Sequence, residues 1–176
     1  MKNKRFIGLD LSLTSSGVCI IDESYNVIYS ARIKTSKKRG MERLEYILEK
    51  VKESIKNIDA IAIENYSFGV RNSSSLTGLG ELGGVIKLML YKKGKDYVLA
   101  SPGQVKKYAT GKGNAKKSLM LMKVFKKYHE EFTNSDECDA YVLARIARDV
   151  FSEDNNSLLE YEKEVIDKLK KRGKEW

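Results

Sequence analysis

The sequence is poor in the residues that build several common kinds of functional site. It has one histidine, His129, two cysteines, Cys19 and Cys138, and no Cys-x-x-Cys pair. A zinc site is therefore not expected, and the apolar surroundings of both cysteines favour a reduced, cytoplasmic protein. The single proline, Pro102, argues against a long disordered linker.

Long apolar runs are also missing from the sequence. No stretch approaches the roughly 20 apolar residues needed to cross a bilayer. Asp10 interrupts the first apolar segment, Phe6–Leu9, so neither a membrane span nor a signal peptide is predicted. Apolar residues still make up 41% of the 176 residues, which is enough for the core of one domain.

Positive charge is in excess. The chain has 33 Lys and Arg residues against 24 Asp and Glu residues, for a net charge of +9, which predicts an anionic partner. From Ser101 to Tyr128 there are eight lysines and no acid, so a polyanion would be attracted to this segment. Charged faces are common on solvated helices, however, and ordinary solubility charge remains an alternative explanation.

The first part of the chain has the pattern of a strand meander followed by a crossover. Three strands are predicted at Arg5–Asp10, Gly17–Ile21 and Val27–Ile33, and the short polar turns between them favour antiparallel pairing. A helix over Gly40–Lys56 then leads to an apolar strand at Ile58–Glu64. A crossover of this kind makes the new strand parallel to the first.

The remainder is mostly helical, with one more strand. The overall expectation is an α/β fold with a five-stranded mixed sheet, three antiparallel strands followed by two parallel strands, and helices on both faces. Asn134 or Ser135 is expected to cap the helix that follows it. The predicted elements are a loop at 65–75, a glycine-bearing helix at Leu76–Lys93, a strand at Tyr97–Ala100, a short helix from Pro102, and helices at Ala115–Tyr128, Asp136–Val150 and Ser157–Lys171.

Four carboxylates stand where acids are uncommon, at the ends of predicted buried elements. Asp10 and Glu64 end apolar strands, whereas Asp136 and Asp139 open an apolar helix at a spacing that places them on one face, about 5–6 Å apart. Acids this close repel each other unless a cation or proton intervenes, and Mg²⁺ prefers hard oxygen ligands. The four acids therefore predict a metal site suited to phosphodiester cleavage.

Taken singly, the acids have simpler explanations. Asp136 alone could stabilise a helix N-terminus through the helix dipole, and Asp10 alone could cap a turn. Glu64 is harder to explain as a surface residue, because it directly follows the apolar segment Ile61–Ile63.

Six short segments follow one another in a distinctive order along the chain. They are Ile7–Ser12, Ile61–Asn65, Leu79–Gly84, Val105–Lys107, Gly111–Ser118 and Asp136–Ala140. In order and spacing they resemble the RuvC-type Holliday junction resolvases, and the resemblance spans roughly residues 5 to 150. It implies a ribonuclease H-like fold, with residues 1–155 as the nuclease domain and residues 156–176 as a charged helix, either part of that domain or appended to it.

The resemblance also implies an activity. Asp10, Glu64, Asp136 and Asp139 would bind two Mg²⁺ ions, with Mn²⁺ as a substitute, and water activated there would attack a DNA phosphodiester. The products would be a 5′-phosphate and a 3′-hydroxyl. A homodimer built partly through the glycine-bearing helix would place two sites for paired nicks across a four-way junction, so the implied enzyme is a Mg²⁺-dependent crossover junction endodeoxyribonuclease.

The DNA-contact residues that the resemblance implies match the family pattern less closely than the four carboxylates do. Lys106 and Lys117 match lysines that lie near the phosphates in this family, although each could equally be solvated surface charge. An aromatic residue that stacks at the junction centre is shifted here, since Tyr66 and Phe68 flank Ser67 at the expected position. The predicted DNA-contact residues are Lys106, Lys107, Lys112, Lys116, Lys117, Tyr66, Phe68 and Arg71.

Some features depart from the family pattern and leave alternatives open. The usual Pro-Gly after the first aspartate is Leu11-Ser12 here, and the shifted aromatics suggest that forks or other branched DNA are also cut. A ribonuclease H-like nuclease acting on structured RNA and a non-catalytic DNA-binding module remain alternatives. A sugar-kinase-like phosphotransferase, suggested by the loosely phosphate-loop-like Asp10–Thr14, would need a second lobe that 176 residues do not supply.

Overall fold

The structure is a computed structural model that describes residues 4–65 and 73–172. The predicted DNA-contact residues Tyr66, Phe68 and Arg71 lie outside the described residues. Within these ranges the elements are β1 (Arg5–Asp10), β2 (Ser15–Asp22), β3 (Val27–Lys34), α1 (Gly40–Ser54), β4 (Ala60–Glu64), α2 (Ser73–Lys92), β5 (Tyr97–Ala100), α3 (Pro102–Thr110), α4 (Lys117–Tyr128), α5 (Ser135–Phe151) and α6 (Glu160–Arg172).

The strands form one five-stranded sheet in the order β3-β2-β1-β4-β5. β1 pairs antiparallel with β2, and β2 pairs antiparallel with β3. β4 lies parallel to β1 on its other side, and β5 lies parallel to β4. These pairings confirm the predicted mixed sheet. The two parallel strands arise because the helix between β3 and β4 and the helix between β4 and β5 act as crossovers.

Several element boundaries differ from the predictions. β2 begins at Ser15 rather than Gly17, because Ser15 and Ser16 continue the ladder to Lys34 and Ile33. α2 begins at Ser73, within the predicted loop at 65–75. Of the two residues predicted to cap α5, Asn134 and Ser135, the structure has Asn134, whose side chain accepts a hydrogen bond of 3.0 Å from the backbone N–H of Glu137.

Two layers of helices cover the sheet, and strand alternation divides the side chains between them. In β1, Ile7 and Leu9 join a core with α1 and α2, whereas Phe6 joins a core with α3, α4, α5 and α6 on the opposite face. The second core is the more helix-rich of the two and has α5 lying directly on the sheet.

Two glycines allow α5 to lie close against the sheet. A Cβ atom at Gly8 would stand 1.9 Å from the carbonyl oxygen of Ala140, and one at Gly17 would stand 2.0 Å from the carbonyl oxygen of Asp136. Any larger residue in either position would push α5 away from the sheet. This contact fixes the height of the first turn of α5 above the ends of β1 and β2.

The last helix, α6, packs against α3 and α5 rather than extending into solvent. Val165, Ile166 and Leu169 are buried in the core that α5 shares. The buried carboxylate of Glu162 accepts hydrogen bonds from Lys127 (2.5 Å) and from the Tyr128 hydroxyl (2.6 Å). In the described ranges no helix is both long enough and apolar enough to span a membrane.

Candidate active site

Asp10 and Glu64 lie side by side at one edge of the sheet. The two residues end the neighbouring parallel strands β1 and β4, in which Leu9 pairs with Ile63 immediately before them. Because side chains alternate along a strand and Leu9 and Ile63 point towards α1 and α2, the two acids point towards α5.

The first turn of α5 brings Asp136 and Asp139 to the same corner. Asp10 pairs with Gly17 in the sheet, and the backbone of Asp136 rests directly on Gly17. The four predicted acids, which come from three separate parts of the sequence, therefore converge on one corner of the protein.

Burial and mutual repulsion raise the pKa of three of these carboxylates. Burial, followed by the nearby Asp10 and Asp139, raises the pKa of Glu64 from 4.5 to about 8. Burial, followed by Asp139 and Asp136, raises the pKa of Asp10 from 3.8 to about 7. Burial raises the pKa of Asp139 to about 6, an increase that Lys117 opposes. A cation among these groups would stabilise their ionised forms.

Hydroxyl groups and one lysine hold the acids of α5 in place. The Ser15 hydroxyl donates a 2.7 Å hydrogen bond to Oδ2 of Asp136, and the Ser135 hydroxyl lies 3.3 Å from Oδ1. Lys117 Nζ lies 3.8 Å from Oδ2 of Asp139 and donates a 3.1 Å hydrogen bond to the Ser135 hydroxyl. Asp136 and Asp139 are thus linked through Ser135 and Lys117.

The predicted DNA-contact lysines divide into three groups. Lys106 and Lys117 are close enough to the acids to lower the pKa of both Glu64 and Asp139. Lys112 and Lys116 are exposed in the segment between α3 and α4. Lys107 is instead paired with Glu164 of α6, with 2.5 Å between Nζ and Oε2.

The segment that carries Lys112 is shaped by glycines. Gly111 ends α3 in the left-handed region, with a φ of 81°, which glycine adopts at little cost. A Cβ atom at Gly113 would stand 3.2 Å from the carbonyl oxygen of Gly103, so the segment folds back closely on the start of α3. These contacts fix the path of the chain on either side of Lys112.

A small cleft adjoins Glu64 on the side of α2. Asn65 and Lys87 contribute polar groups to its lining, which also includes Gly83 of α2. The sequence did not single out Asn65 or Lys87, and it assigned Ser15 to a turn. The sequence did contain one indication of the position of Ser15. It lies two residues before Gly17, so if the strand extends to Ser15 the two residues face the same side of the sheet.

The donor set of this corner fits a hard divalent cation. Carboxylate oxygens are the ligands that Mg²⁺ prefers. Burial is the main cause of the raised pKa values of Asp10, Glu64 and Asp139, and repulsion from neighbouring acids, which a bound cation would relieve, adds to it. Across residues 4–65 and 73–172, no three Asp, Glu, His or Cys side chains stand close enough to form a ready-made metal cage. The carboxylates must therefore rotate towards a common point to share an ion. Before they do so, Ser15 holds the side chain of Asp136 and Lys117 contacts that of Asp139.

A mixed sheet with acids at the ends of its central strands, faced by an acidic helix start and flanked by lysines, defines a nuclease of the ribonuclease H-like class. The family profile described as "Crossover junction endodeoxyribonuclease RuvC" matches residues 6–147. The chain belongs to this family, and the resemblance seen in the sequence is confirmed. Members of the family are metal-dependent endonucleases that act on Holliday junctions.

Individual relatives agree with the family assignment. The RuvC proteins of Rickettsia bellii and Brachyspira hyodysenteriae are 35% and 28% identical to this chain. Each match covers 78% of this chain, and the two matches cover 92% and 89% of the respective relative. The solved structure of Thermus thermophilus RuvC in complex with a Holliday junction substrate has a TM-score of 0.69. It is 22% identical, and the match covers 80% of this chain and 90% of that one, which confirms the fold.

Proposed function

We propose that this chain is a metal-dependent endonuclease that nicks four-way DNA junctions and also accepts forks or other branched DNA. The observation that carries the proposal is the convergence of Asp10, Glu64, Asp136 and Asp139 beside Lys106 and Lys117. An acidic corner that needs a cation, placed next to basic residues, suits the cleavage of a polyanion. A location in the cytoplasm, where such DNA occurs in bacteria, belongs to the same proposal.

The four carboxylates are the proposed metal ligands. Two Mg²⁺ ions are proposed, with Mn²⁺ as a substitute. When bound, such ions supply Lewis-acid stabilisation of phosphate charge and lower the pKa of water near the scissile bond. The proposed products are a 5′-phosphate and a 3′-hydroxyl.

The chain's own residues then have separate tasks. Asp10 and Glu64 are fixed by the sheet, so they form the rigid side of the site. Lys106 and Lys117 place positive charge next to the acids, where it offsets the repulsion between carboxylates and an incoming phosphate. Lys112 and Lys116 are proposed to contact the phosphate backbone of the DNA further from the cleavage site. Tyr66, Phe68 and Arg71 remain predicted contacts.

The exposed face of α2 supports a homodimer. Among the described residues, nothing lies within 4 Å of where a Cβ atom of Gly80 or Gly84 would be. Leu88 and Tyr91 continue this face, with 54% and 66% of their surfaces exposed. Their spacing of four, four and three residues forms one stripe along the helix, and the glycines allow a second helix to approach closely. We propose that two copies meet on this stripe and that α6 is part of each nuclease domain.

A substrate comparison tests the proposed function. The protein is incubated with labelled four-way, forked and fully paired duplex DNA, with Mg²⁺ and with EDTA. Symmetrical nicks in the four-way junction that require Mg²⁺ are the expected result, with weaker cutting of forks and little cutting of duplex.

Two other results would contradict the proposal. Cutting of structured RNA without cutting of any DNA would identify a ribonuclease. Tight junction binding without cleavage in any divalent metal would identify a non-catalytic binding module.

A further inference from the structure

Ser15 occupies an unusual place next to the proposed metal ligands. It is the first residue of β2 and pairs with Lys34 of β3. Because side chains alternate along a strand, Ser15 lies on the same side as Gly17 and Cys19, which is the side that α5 covers. Its side chain therefore points at the first turn of α5.

The hydroxyl of Ser15 contacts one proposed ligand directly. It donates a 2.7 Å hydrogen bond to Oδ2 of Asp136 across 121 positions of the sequence. Bonds from a hydroxyl to a carboxylate are stronger than bonds between neutral groups. The backbone around this bond is held as well, because Gly17 carries the carbonyl of Asp136 against β2. Both ends of the hydrogen bond are therefore fixed by rigid elements.

We propose that Ser15 is a positioning residue that sets the orientation of the Asp136 carboxylate for metal binding. The inference rests on the proposed function, because it assumes that Asp136 is a ligand. A carboxylate has about four lone-pair positions, so one hydrogen bond from Ser15 leaves others free for an ion. A fixed carboxylate loses less rotational freedom on binding a cation, and hydrogen bonds of this kind commonly change metal affinity by about 10–100-fold.

The chain contains a matched control for this bond. Ser30 of β3 donates a 2.8 Å hydrogen bond to Oε2 of Glu137, the residue next to Asp136. Both bonds run from a strand serine to an acid in the first turn of α5, but Glu137 is not one of the four proposed ligands. A purely structural role for strand-to-helix bonds predicts equal effects on metal binding when either is removed. A positioning role predicts an effect for Ser15 alone.

The experiment measures Mn²⁺ binding without DNA by isothermal titration calorimetry. Ser15→Thr keeps a hydroxyl, and Ser15→Val has nearly the same shape without one. Ser15→Ala is a second hydroxyl-free variant for use if the valine variant does not fold. Ser30→Ala is the control. Thermal unfolding in EDTA shows separately how much each change costs the metal-free fold.

We expect Ser15→Val and Ser15→Ala to bind Mn²⁺ about tenfold or more weakly than the wild type. Ser15→Thr should retain most of the affinity, and Ser30→Ala should match the wild type. Equal affinity in Ser15→Val and Ser15→Thr, or tighter binding in Ser15→Val, would overturn the inference while leaving the proposed metal site intact. Failure of the wild type to bind Mn²⁺ would instead disprove the metal site, and the role of Ser15 with it.

Discussion

Lys117 Nζ lies 3.8 Å from Oδ2 of Asp139. Lys117 begins α4 and Asp139 lies in the first turn of α5, so the basic helix and the acidic helix meet at this pair. The ammonium group lowers the pKa of Asp10, Glu64 and Asp139, and so partly replaces the cation that these acids need. Since 61% of the Lys117 side chain is exposed, it is also free to turn towards a phosphate.

Replacing Lys117 should separate metal binding from DNA binding. Lys117→Ala removes a positive charge from the acids, so Mn²⁺ should bind at least as tightly as in the wild type. Junction affinity should fall by about tenfold, because a charged hydrogen bond contributes about 1.5 kcal/mol or more. The slope of log affinity against log salt should also decrease in magnitude by about one.

Fluorescence anisotropy at several salt concentrations measures the effect on DNA, in Ca²⁺ or EDTA so that the junction stays intact. Lys126→Ala removes an exposed lysine further along the same helix and serves as the control. An unchanged salt slope in Lys117→Ala would show that this side chain does not reach a phosphate.

Removing one acid at a time should abolish cleavage and preserve binding. Glu64→Gln and Asp139→Asn keep the size of each side chain but remove a charged ligand, so both should bind four-way junctions and fail to cut them. Glu137→Gln changes the acid next to Asp136 and should cut normally. Single-turnover cleavage with saturating Mg²⁺ measures all three. Cleavage at the wild-type rate by either ligand variant would exclude that residue from the metal site.

The parts of this site that the sequence predicted are those with a local physical signal. An acid at the end of a buried strand, such as Glu64, loses hydration free energy and is therefore uncommon without a functional role. The spacing of Asp136 and Asp139 places both on one helical face. The parallel direction of β4 relative to β1 followed from the crossover through α1. These signals need only neighbouring residues or the general rules of chain connection.

The parts that the sequence did not reveal depend on tertiary contacts. Ser15 belongs to a polar segment that resembles a turn, and only its pairing with Lys34 makes it part of a strand. The glycines of α2 look alike in sequence, yet Gly78 packs against Leu13 while Gly84 faces outward. The pairing of Lys107 with Glu164 joins residues 57 positions apart, so nothing near either residue indicates it.

The metal-free protein should become less stable as pH rises, because of Glu64. In the unfolded chain this carboxyl ionises near its ordinary pKa of 4.5, whereas in the folded protein it keeps its proton up to about pH 8. The folded state therefore binds more protons than the unfolded state between these values, and the free energy of unfolding decreases across that range.

Glu64→Gln removes this pH-dependent cost. In EDTA at pH 8 the variant should be more stable than the wild type by at least about 1 kcal/mol, or roughly 2–4 °C in melting temperature. Near pH 4.5 the difference should largely vanish. Thermal unfolding followed by circular dichroism measures it, with Glu45→Gln, an exposed change on α1, as the control. A variant less stable than the wild type at pH 8 would contradict the assigned cost of burying Glu64.

The proposed homodimer should depend on the exposed stripe of α2. Leu88→Glu places a charge where two apolar helix faces would meet, so it should convert dimers to monomers and abolish symmetrical nicking. Light scattering coupled to size-exclusion chromatography measures the mass. Met122→Glu alters an apolar residue on α4 that is 42% exposed and should leave the dimer intact. A monomeric wild type would exclude the α2 interface directly.

The pair between Lys107 and Glu164 should reduce the affinity for DNA. Glu164 accepts hydrogen bonds from Lys107 (2.5 Å) and Lys168 (2.8 Å), and the bond from Lys107 is the main cause that lowers the pKa of Glu164 to about 2. Glu164→Gln should free Lys107, tighten junction binding and increase the magnitude of the salt slope by up to about one. Glu49→Gln breaks a comparable exposed pair with Lys52 on the opposite face of the sheet and is the control. Identical affinities and slopes for Glu164→Gln and the wild type would show that Lys107 contributes nothing to DNA binding, with or without its partner on α6.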